Sequence, residues 1–236
     1  MKKLNGFILF LLAFLVLDFG LSKTKIPFNP EGYLYGFSNF IKKAERTKGQ
    51  KRIILIGGSS LGWGVSAKDL TSKIGIPTLN AGIHAGVKYR NYFRNIKGFI
   101  EKDKDLLVFS PEYGMDFRNT IFHRSGEFCE IALYTRGSYP FDCIGYSISK
   151  IFKIIGLINK FDEEYNIYGF NEYGDYELRK YSENKKNNFG QLCDNLNPLE
   201  FKKYLSFLKN LKIKGYKILY IPNFTPKSAC NEENLL

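Results

Sequence analysis

The sequence predicts an α/β protein built on a parallel sheet, and three short apolar runs carry that prediction. Residues 52–56, 105–110 and 216–222 are runs dominated by Ile, Leu, Val and aromatic residues. Strands covered by helices on both faces have this composition, whereas strands with one wet face alternate apolar and polar residues. Segments with helical spacing lie between the runs, and an alternation of strand and helix implies parallel pairing. The fold class is therefore predicted to be α/β.

Shorter sequence patterns predict a further strand and three helices. Residues 77–80 predict a second strand, and 86–102 predict a helix whose one face carries four apolar residues: Tyr89, Phe93, Ile96 and Ile100. Residues 197–200 open another helix, because proline suits the first turn and glutamate is favourable near the positive end. Gly215 predicts the C-terminal stop of that helix. Residues 144–160 predict an amphipathic helix within a middle region that otherwise resembles an insertion or a long surface loop.

The N-terminal segment predicts a membrane anchor. Lys2 and Lys3 precede a run from Leu4 to Leu21 that is apolar except at four positions: Asn5, Gly6, Asp18 and Gly20. About 18 residues at 1.5 Å each span roughly 27 Å, close to the thickness of a bilayer core. The run has no polar stripe at helical spacing, which a soluble core helix would show. Residues 20–22 match a signal-peptide cleavage site poorly, which favours an uncleaved anchor over a signal peptide.

Charges around this segment suggest its orientation. Lys2 and Lys3 favour a cytoplasmic N-terminus, although Lys23 and Lys25 follow the segment and oppose that assignment. We therefore expect a single-pass membrane protein whose globular domain lies on the extracytoplasmic side. The predicted organisation is an anchor, a juxtamembrane linker and an α/β domain, at residues 1–25, 26–51 and 52–236.

Composition narrows the partners and cofactors. The formal net charge is +12, from 35 Lys and Arg against 23 Asp and Glu. Such a balance attracts anionic surfaces such as lipid head groups or acidic glycans, although a solvated, Lys-rich surface is the preferred interpretation. The lysines are spread along the chain without an arginine-rich helix, so we expect no nucleic-acid partner. The four cysteines show neither CxxC spacing nor neighbouring histidines, and neither a metal nor a cofactor is expected. Cys129 and Cys143 are candidates for a disulfide, and free buried thiols remain the alternative.

The most informative stretch is 56–64, IGGSSLGWG, at the carboxyl end of the first predicted strand. A P-loop needs Lys after GxxxxG, and Trp63 stands there instead. The glycines are also misspaced for a dinucleotide fingerprint. Two interpretations remain. One is a serine presented on a tight strand-to-helix turn, and the other is a Gly/Ser-rich loop without chemistry.

Three sequence blocks resemble the SGNH (GDSL-like) hydrolase superfamily, in the Gly-Ser-Ser variant of its envelope-associated branches. Residues 58–61, Gly-Ser-Ser-Leu, match the first block, and the resemblance implies a flavodoxin-like parallel sheet with Ser60 as nucleophile. The second block corresponds to residues 80–86, where Ala85 or Gly86 would donate to the oxyanion. In the third, Glu112 stands where the family has an oxyanion-hole Asn, and a carboxylate cannot donate a hydrogen bond unless protonated.

The last block of the family, Asp-x-x-His, is missing from the chain. The two histidines are His84 and His123, and neither lies in such a motif. His84 follows the second predicted strand, which makes it a pocket candidate on the same side of the sheet as Ser60. The chain ends soon after Pro222, so we expect an α/β domain that is truncated at its C-terminus.

Two functions are consistent with these residues. In the first, the protein is a serine esterase or O-acyltransferase that acts on acyl groups of envelope glycans or lipids through a Ser60 acyl-enzyme. By resemblance, the substrate would include O-acetylated polysaccharide. In the second, it is a catalytically inactive envelope protein of the same fold with a binding or scaffold role.

Overall fold

The computed structural model of the protein describes residues 2–22, 37–82, 89–111, 129, 170–175 and 198–222. The helices of these ranges are α1 (Lys2–Ser22), α2 (Phe37–Arg46), α3 (Ser59–Gly64), α4 (Ala67–Ile74), α5 (Tyr89–Ile96) and α6 (Pro198–Ile213), with a 3₁₀ helix at Lys97–Phe99. The strands are β1 (Arg52–Gly57), β2 (Thr78–Asn80), β3 (Asp105–Ser110) and β4 (Lys217–Tyr220).

The four strands form one parallel sheet in the order β2-β1-β3-β4. Leu55 lies opposite Asn80, and Gly57 lies opposite Ser110, so the carboxyl ends of β1, β2 and β3 meet at one edge. Helices cover both faces of the central strands, as expected for continuous apolar strands. The α/β prediction is confirmed.

Successive strand residues point to opposite faces, and each face packs against its own helices. Ile54 and Ile56 of β1, with Leu107 and Phe109 of β3, lie in the larger core with buried residues of α2, α5 and α6. The opposite face carries a smaller core formed by residues of β1, β3, α3 and α4: Leu55, Val108, Leu61 and Ala67. The doubly covered sheet explains why β1 and β3 read as uninterrupted apolar runs.

Residues 37–46, which were predicted to belong to the linker, form α2 and belong to the larger core. Phe37, Phe40 and Ala44 are buried, and their spacing places them on one helix face. The rings of Phe37 and Phe40 stack with centroids 4.9 Å apart. The packed domain therefore includes α2 and begins before Arg52, since the apolar positions of α2 are core positions.

Two other elements differ from their predicted form. The helix predicted over 86–102 ends at Ile96 and continues as one 3₁₀ turn, after which Ile100 is extended. Gly98 lies in that turn, and glycine is a poor helix former. The helix predicted at 144–160 lies outside the described residues.

The C-terminal helix and strand lie where they were predicted, but β4 is shorter than the predicted 216–222 and has a different environment. Helix α6 is followed by Gly215 at a positive φ of 87°, as predicted. The strand predicted as buried is instead half exposed at the end of the strand order, with Leu219 47% and Ile221 39% accessible. Their side chains point away from α6, because they alternate with Ile218 and Tyr220, which pack against the larger core.

Helix α1 is a 21-residue helix with exposed apolar side chains, among them Phe7, Leu9, Phe10 and Val16. Among the residues that the structure describes, no helix is long and apolar enough to cross a membrane. The membrane anchor therefore stays a prediction.

A buried ion pair joins the amino ends of the two central strands. Arg52 of β1 donates to Asp105 of β3 through Nε at 2.8 Å and Nη2 at 2.6 Å. Two further guanidinium hydrogens are donated to the carbonyl oxygens of Ala44 at 2.6 Å and Phe99 at 2.9 Å. Both charged side chains are fully buried. One arginine thus ties together β1, β3, α2 and the 3₁₀ helix, at the edge of the sheet opposite to Ser60.

Glu101 lies beside this pair and makes folding depend on pH. The backbone amide of Gly49 donates to Glu101 Oε2 at 2.7 Å, and this bond, aided by the charges of Arg52 and Lys104, lowers the pKa of Glu101 below its ordinary 4.5. A carboxyl whose folded pKa is lowered stabilises the fold above its unfolded pKa, and that contribution is lost as the pH falls through the folded pKa.

We expect Glu101→Gln to be less stable than the parent at neutral pH. The difference should shrink as the pH falls below 4.5, because a protonated Glu101 carries no more charge than glutamine. Urea unfolding of both proteins over this pH range measures the effect. An equal stability difference at every pH would contradict the assignment.

Candidate active site

Ser60 lies on a short helical turn directly after the central strand. β1 ends at Gly57, Gly58 precedes α3 in an extended conformation, and Ser60 is the second residue of α3. The carbonyl oxygen of Gly58 accepts hydrogen bonds from the amides of Leu61 and Gly62, both at 3.2 Å. Ser60 itself is exposed. The strand-to-turn-to-helix arrangement predicted for a presented serine is therefore present.

Three glycines hold this turn close to the neighbouring strand ends. A β-carbon on Gly57 would overlap the carbonyl oxygen of Ser110, and one on Gly62 would overlap the carbonyl oxygen of Gly82. A β-carbon on Gly82 would lie 2.7 Å from the amide nitrogen of Gly62. The backbone of α3 thus packs directly against the loop after β2, and no larger residue fits at these contacts.

Asn80 fastens the other side of the turn. Its buried side-chain amide donates to the carbonyl oxygen of Val65 at 2.9 Å, and its Oδ1 accepts from the amide of Gly82 at 2.9 Å. The same amide also reaches the carbonyl oxygen of Leu61 at 3.3 Å. Asn80 therefore links the end of β2 to the backbone of α3 and to Val65 directly after it.

Asp175, which was not among the predicted site residues, completes this network. Its carboxylate accepts hydrogen bonds from the first amides of α4, Ala67 N at 2.7 Å and Lys68 N at 3.0 Å, and from Asn80 Nδ2 at 3.0 Å. Asp175 is buried, and an anion at a helix N-terminus is favourable. The only local signal is the turn at residues 171–175, Asn-Glu-Tyr-Gly-Asp, where Gly174 has a φ of 86°.

The turn formed by residues 170–175 also extends the hydrogen bonding of β2. The amide of Asn80 donates to the carbonyl oxygen of Tyr173 at 2.9 Å, and Asn171 Oδ1 accepts from the amides of Tyr173 and Asp175. A β-carbon on Gly174 would overlap the carbonyl oxygen of Asn80. This network is structural, since the side chains of Asn80, Asn171 and Asp175 are hydrogen-bonded to one another or to nearby backbone groups.

A cavity of about 430 Å³ lies next to Ser60. Its polar side chains are Ser60 and Ser110, and the other described lining residues are apolar or glycine. Small-molecule pockets usually enclose roughly 300–1,000 Å³ and are mainly apolar with a few placed polar groups. The cavity therefore has the size and lining of a ligand pocket. Ser60 lies at the end of the cavity that is nearest to the carboxyl ends of the strands.

The other residues predicted for the site are not among those that the structure describes. His84, Ala85 and Gly86 lie outside the described residues, as does Glu112, and so does His123. Their proposed roles remain predictions. Within the described ranges, no group of three or more His, Cys, Asp or Glu side chains is arranged to hold a metal ion.

Cys129 is buried and disulfide-bonded. Of the two alternatives that the sequence left open for this residue, the structure has the disulfide. Cys143, its predicted partner, lies outside the described residues.

Comparison of the chain with protein-family models, curated proteins and solved structures found no match. The resemblance to the SGNH hydrolases therefore depends on the sequence blocks alone.

Proposed function

We propose that the protein is a membrane-anchored serine esterase or O-acyltransferase of the SGNH type, which acts on acyl groups of envelope glycans or lipids. The observation that supports this proposal is the position of Ser60. It is exposed on a tight turn at the carboxyl edge of a parallel sheet, beside a ligand-sized cavity. Ligands of open α/β sheets bind at this edge.

The chemistry would proceed in two steps through an acyl-enzyme. Ser60 Oγ attacks the acyl carbonyl carbon and forms an ester bond, its proton passes to a general base, and the substrate alcohol leaves with that proton. Water or a sugar hydroxyl then attacks the acyl-enzyme and releases Ser60. The candidate base is His84, because it follows Gly82 by two residues in the sequence and the backbone of Gly82 contacts the Ser60 turn.

Three further features support a protein that is attached to a membrane and acts on its extracytoplasmic side. Helix α1 exposes large apolar side chains, and the net charge of +12 favours an anionic lipid surface. The disulfide at Cys129 is typical of proteins in oxidising compartments. These features support a single-pass protein whose domain lies on the extracytoplasmic side.

A non-catalytic envelope protein with a binding or scaffold role is the second candidate. The sequence has Glu112 in place of the oxyanion-hole Asn and has no Asp-x-x-His block. The described lining of the cavity contains no titratable side chain. An apolar pocket of this kind suits binding without proton transfer.

Labelling of the full chain with a fluorophosphonate distinguishes the two candidates. We expect the wild type to be labelled at Ser60 and Ser60→Ala to be unlabelled. Ser110→Ala is the matched control, because Ser110 borders the same cavity on β3. It should be labelled normally, since Ser110 is not the proposed nucleophile. We also expect His84→Ala to be labelled at least about a hundredfold more slowly, the usual effect of removing a general base.

Each outcome has a defined meaning. Labelling that persists in Ser60→Ala would contradict Ser60 as nucleophile. A folded wild type that resists the probe would favour the binding or scaffold role.

A further inference from the structure

We propose that the cavity beside Ser60 is a groove for a hydrocarbon chain, so that the acyl group handled by this site is a long fatty acyl group rather than acetyl. The chemical part of this inference depends on the proposed esterase or acyltransferase function. The binding part depends only on the groove.

The floor and walls of the groove are hydrocarbon along its length. The floor is the second face of the sheet, from β1, β3 and β4, and the wall is formed by α3 and α4. The apolar side chains that line it include those of Ile53, Leu70, Ile74, Leu106, Val108 and Leu219. A polar or charged ligand would find no described partner here except the two serines at one end.

The groove is also elongated, with the candidate nucleophile at one end, as an acyl chain with a single reactive carbonyl requires. Along β3 it extends from Leu106 to Ser110, roughly 13 Å at 3.3 Å per residue. Ser60 and Ser110 lie at the carboxyl edge, and the groove continues from there along the strands. An acyl chain lying in it would place its carbonyl at Ser60 and its tail toward Leu106.

The groove is accessible over β4. Leu219 and Ile74, on opposite sides of the groove, are 47% and 46% accessible. Ile221, beside them, is exposed as well. The apolar surface of α1 on the same chain favours a lipid as the source of the acyl chain, because a bilayer supplies long acyl chains at high local concentration.

Burial of hydrocarbon predicts how strongly chain length should matter. Each methylene group that the groove removes from water improves binding about fourfold. For an active enzyme, kcat/KM for p-nitrophenyl esters should therefore rise about fourfold per methylene from butyryl to octanoyl. An enzyme specific for acetyl groups would show no such rise.

The direct test is photolabelling of the full chain in phospholipid nanodiscs with a diazirine-bearing palmitic acid, followed by mapping of the labelled peptides. We expect adducts on the peptides that contain Leu70, Ile74 and Leu219. Leu219→Asp should lower this yield at least about tenfold, because a carboxylate is costly to cover with hydrocarbon. Ile74→Gln is a second variant on the opposite wall, and it should lower the yield in the same way.

A control variant tests whether the labelling is specific to the groove. Ile213→Asp changes an equally apolar side chain that is 74% accessible on α6 and does not line the groove, and it should leave the yield unchanged.

The outcomes distinguish this inference from the proposed function. Groove adducts without fluorophosphonate labelling would overturn the esterase and leave the acyl groove intact. Fluorophosphonate labelling at Ser60 with adducts only on α1 would overturn the groove. A wild-type dimer that lacks groove adducts and that Leu219→Asp converts to a monomer would show that a second copy of the chain occupies this face, and it would also overturn the inference.

Discussion

Replacing Asp105 with alanine is expected to lower the free energy of unfolding by about 3–5 kcal/mol. The substitution leaves Arg52 fully buried without the carboxylate that accepts two of its hydrogen bonds. A domain is typically stable by only about 5–15 kcal/mol, so the variant should be close to unfolding. Urea unfolding followed by fluorescence of Trp63, the single tryptophan of the chain, measures the loss.

Two further variants show whether the loss comes from the unpaired buried charge. Arg52→Met/Asp105→Leu removes both charges and should recover about half of the loss, although the carbonyl oxygens of Ala44 and Phe99 lose a donor. Glu200→Gln breaks the i,i+3 pair of Glu200 with Lys203, whose ammonium is exposed, and should cost less than about 1 kcal/mol. Equal losses for Asp105→Ala and Glu200→Gln would refute the special role of the buried pair.

Gly62→Ala is expected to destabilise the protein by about 3 kcal/mol and to reduce labelling of Ser60 about a hundredfold. The new β-carbon would overlap the carbonyl oxygen of Gly82. Because that atom belongs to the backbone, no side-chain rotation can relieve the overlap. The Ser60 turn must then move away from the end of β2, and small displacements of a nucleophile are costly to its reactivity.

Gly64→Ala is the matched control, two residues along the same helix. A β-carbon there meets nothing within 4 Å, and alanine favours helix over glycine. Stability and fluorophosphonate labelling should therefore be unchanged or slightly improved. If both alanine variants behaved alike, close backbone packing at Gly62 would not be what positions Ser60.

The sequence predicted those parts of the fold that depend on local patterns. β1 and β3 were predictable because both of their faces are buried, which leaves no polar alternation. Helix α6 was predictable from Pro198 at its start and Gly215 after its end, since both residues act through backbone conformation alone. The turn around Ser60 was predictable for a similar reason, because a Gly/Ser-rich stretch directly after a buried strand favours a tight turn.

Other features depended on contacts between distant parts of the chain. The burial of α2 was not evident, because its aromatic residues resemble those of an interfacial linker until the core that covers them is known. The exposure of β4 was not predicted, since its composition matches that of the buried strands. The exposure of β4 follows from its position at the end of the strand order. The residues of a strand do not encode its position in the sheet.

The sequence by itself determined the α/β class, the approximate positions of the strands and the choice of Ser60 as the candidate nucleophile. Only the tertiary structure decided that Asp175 caps α4 and binds Asn80, and that an apolar groove runs from Ser60 toward Leu106. Local residue patterns encode backbone conformation and burial, and both act over a few residues. A network between residues about a hundred positions apart and a groove shared by three strands and two helices arise only when the chain is packed.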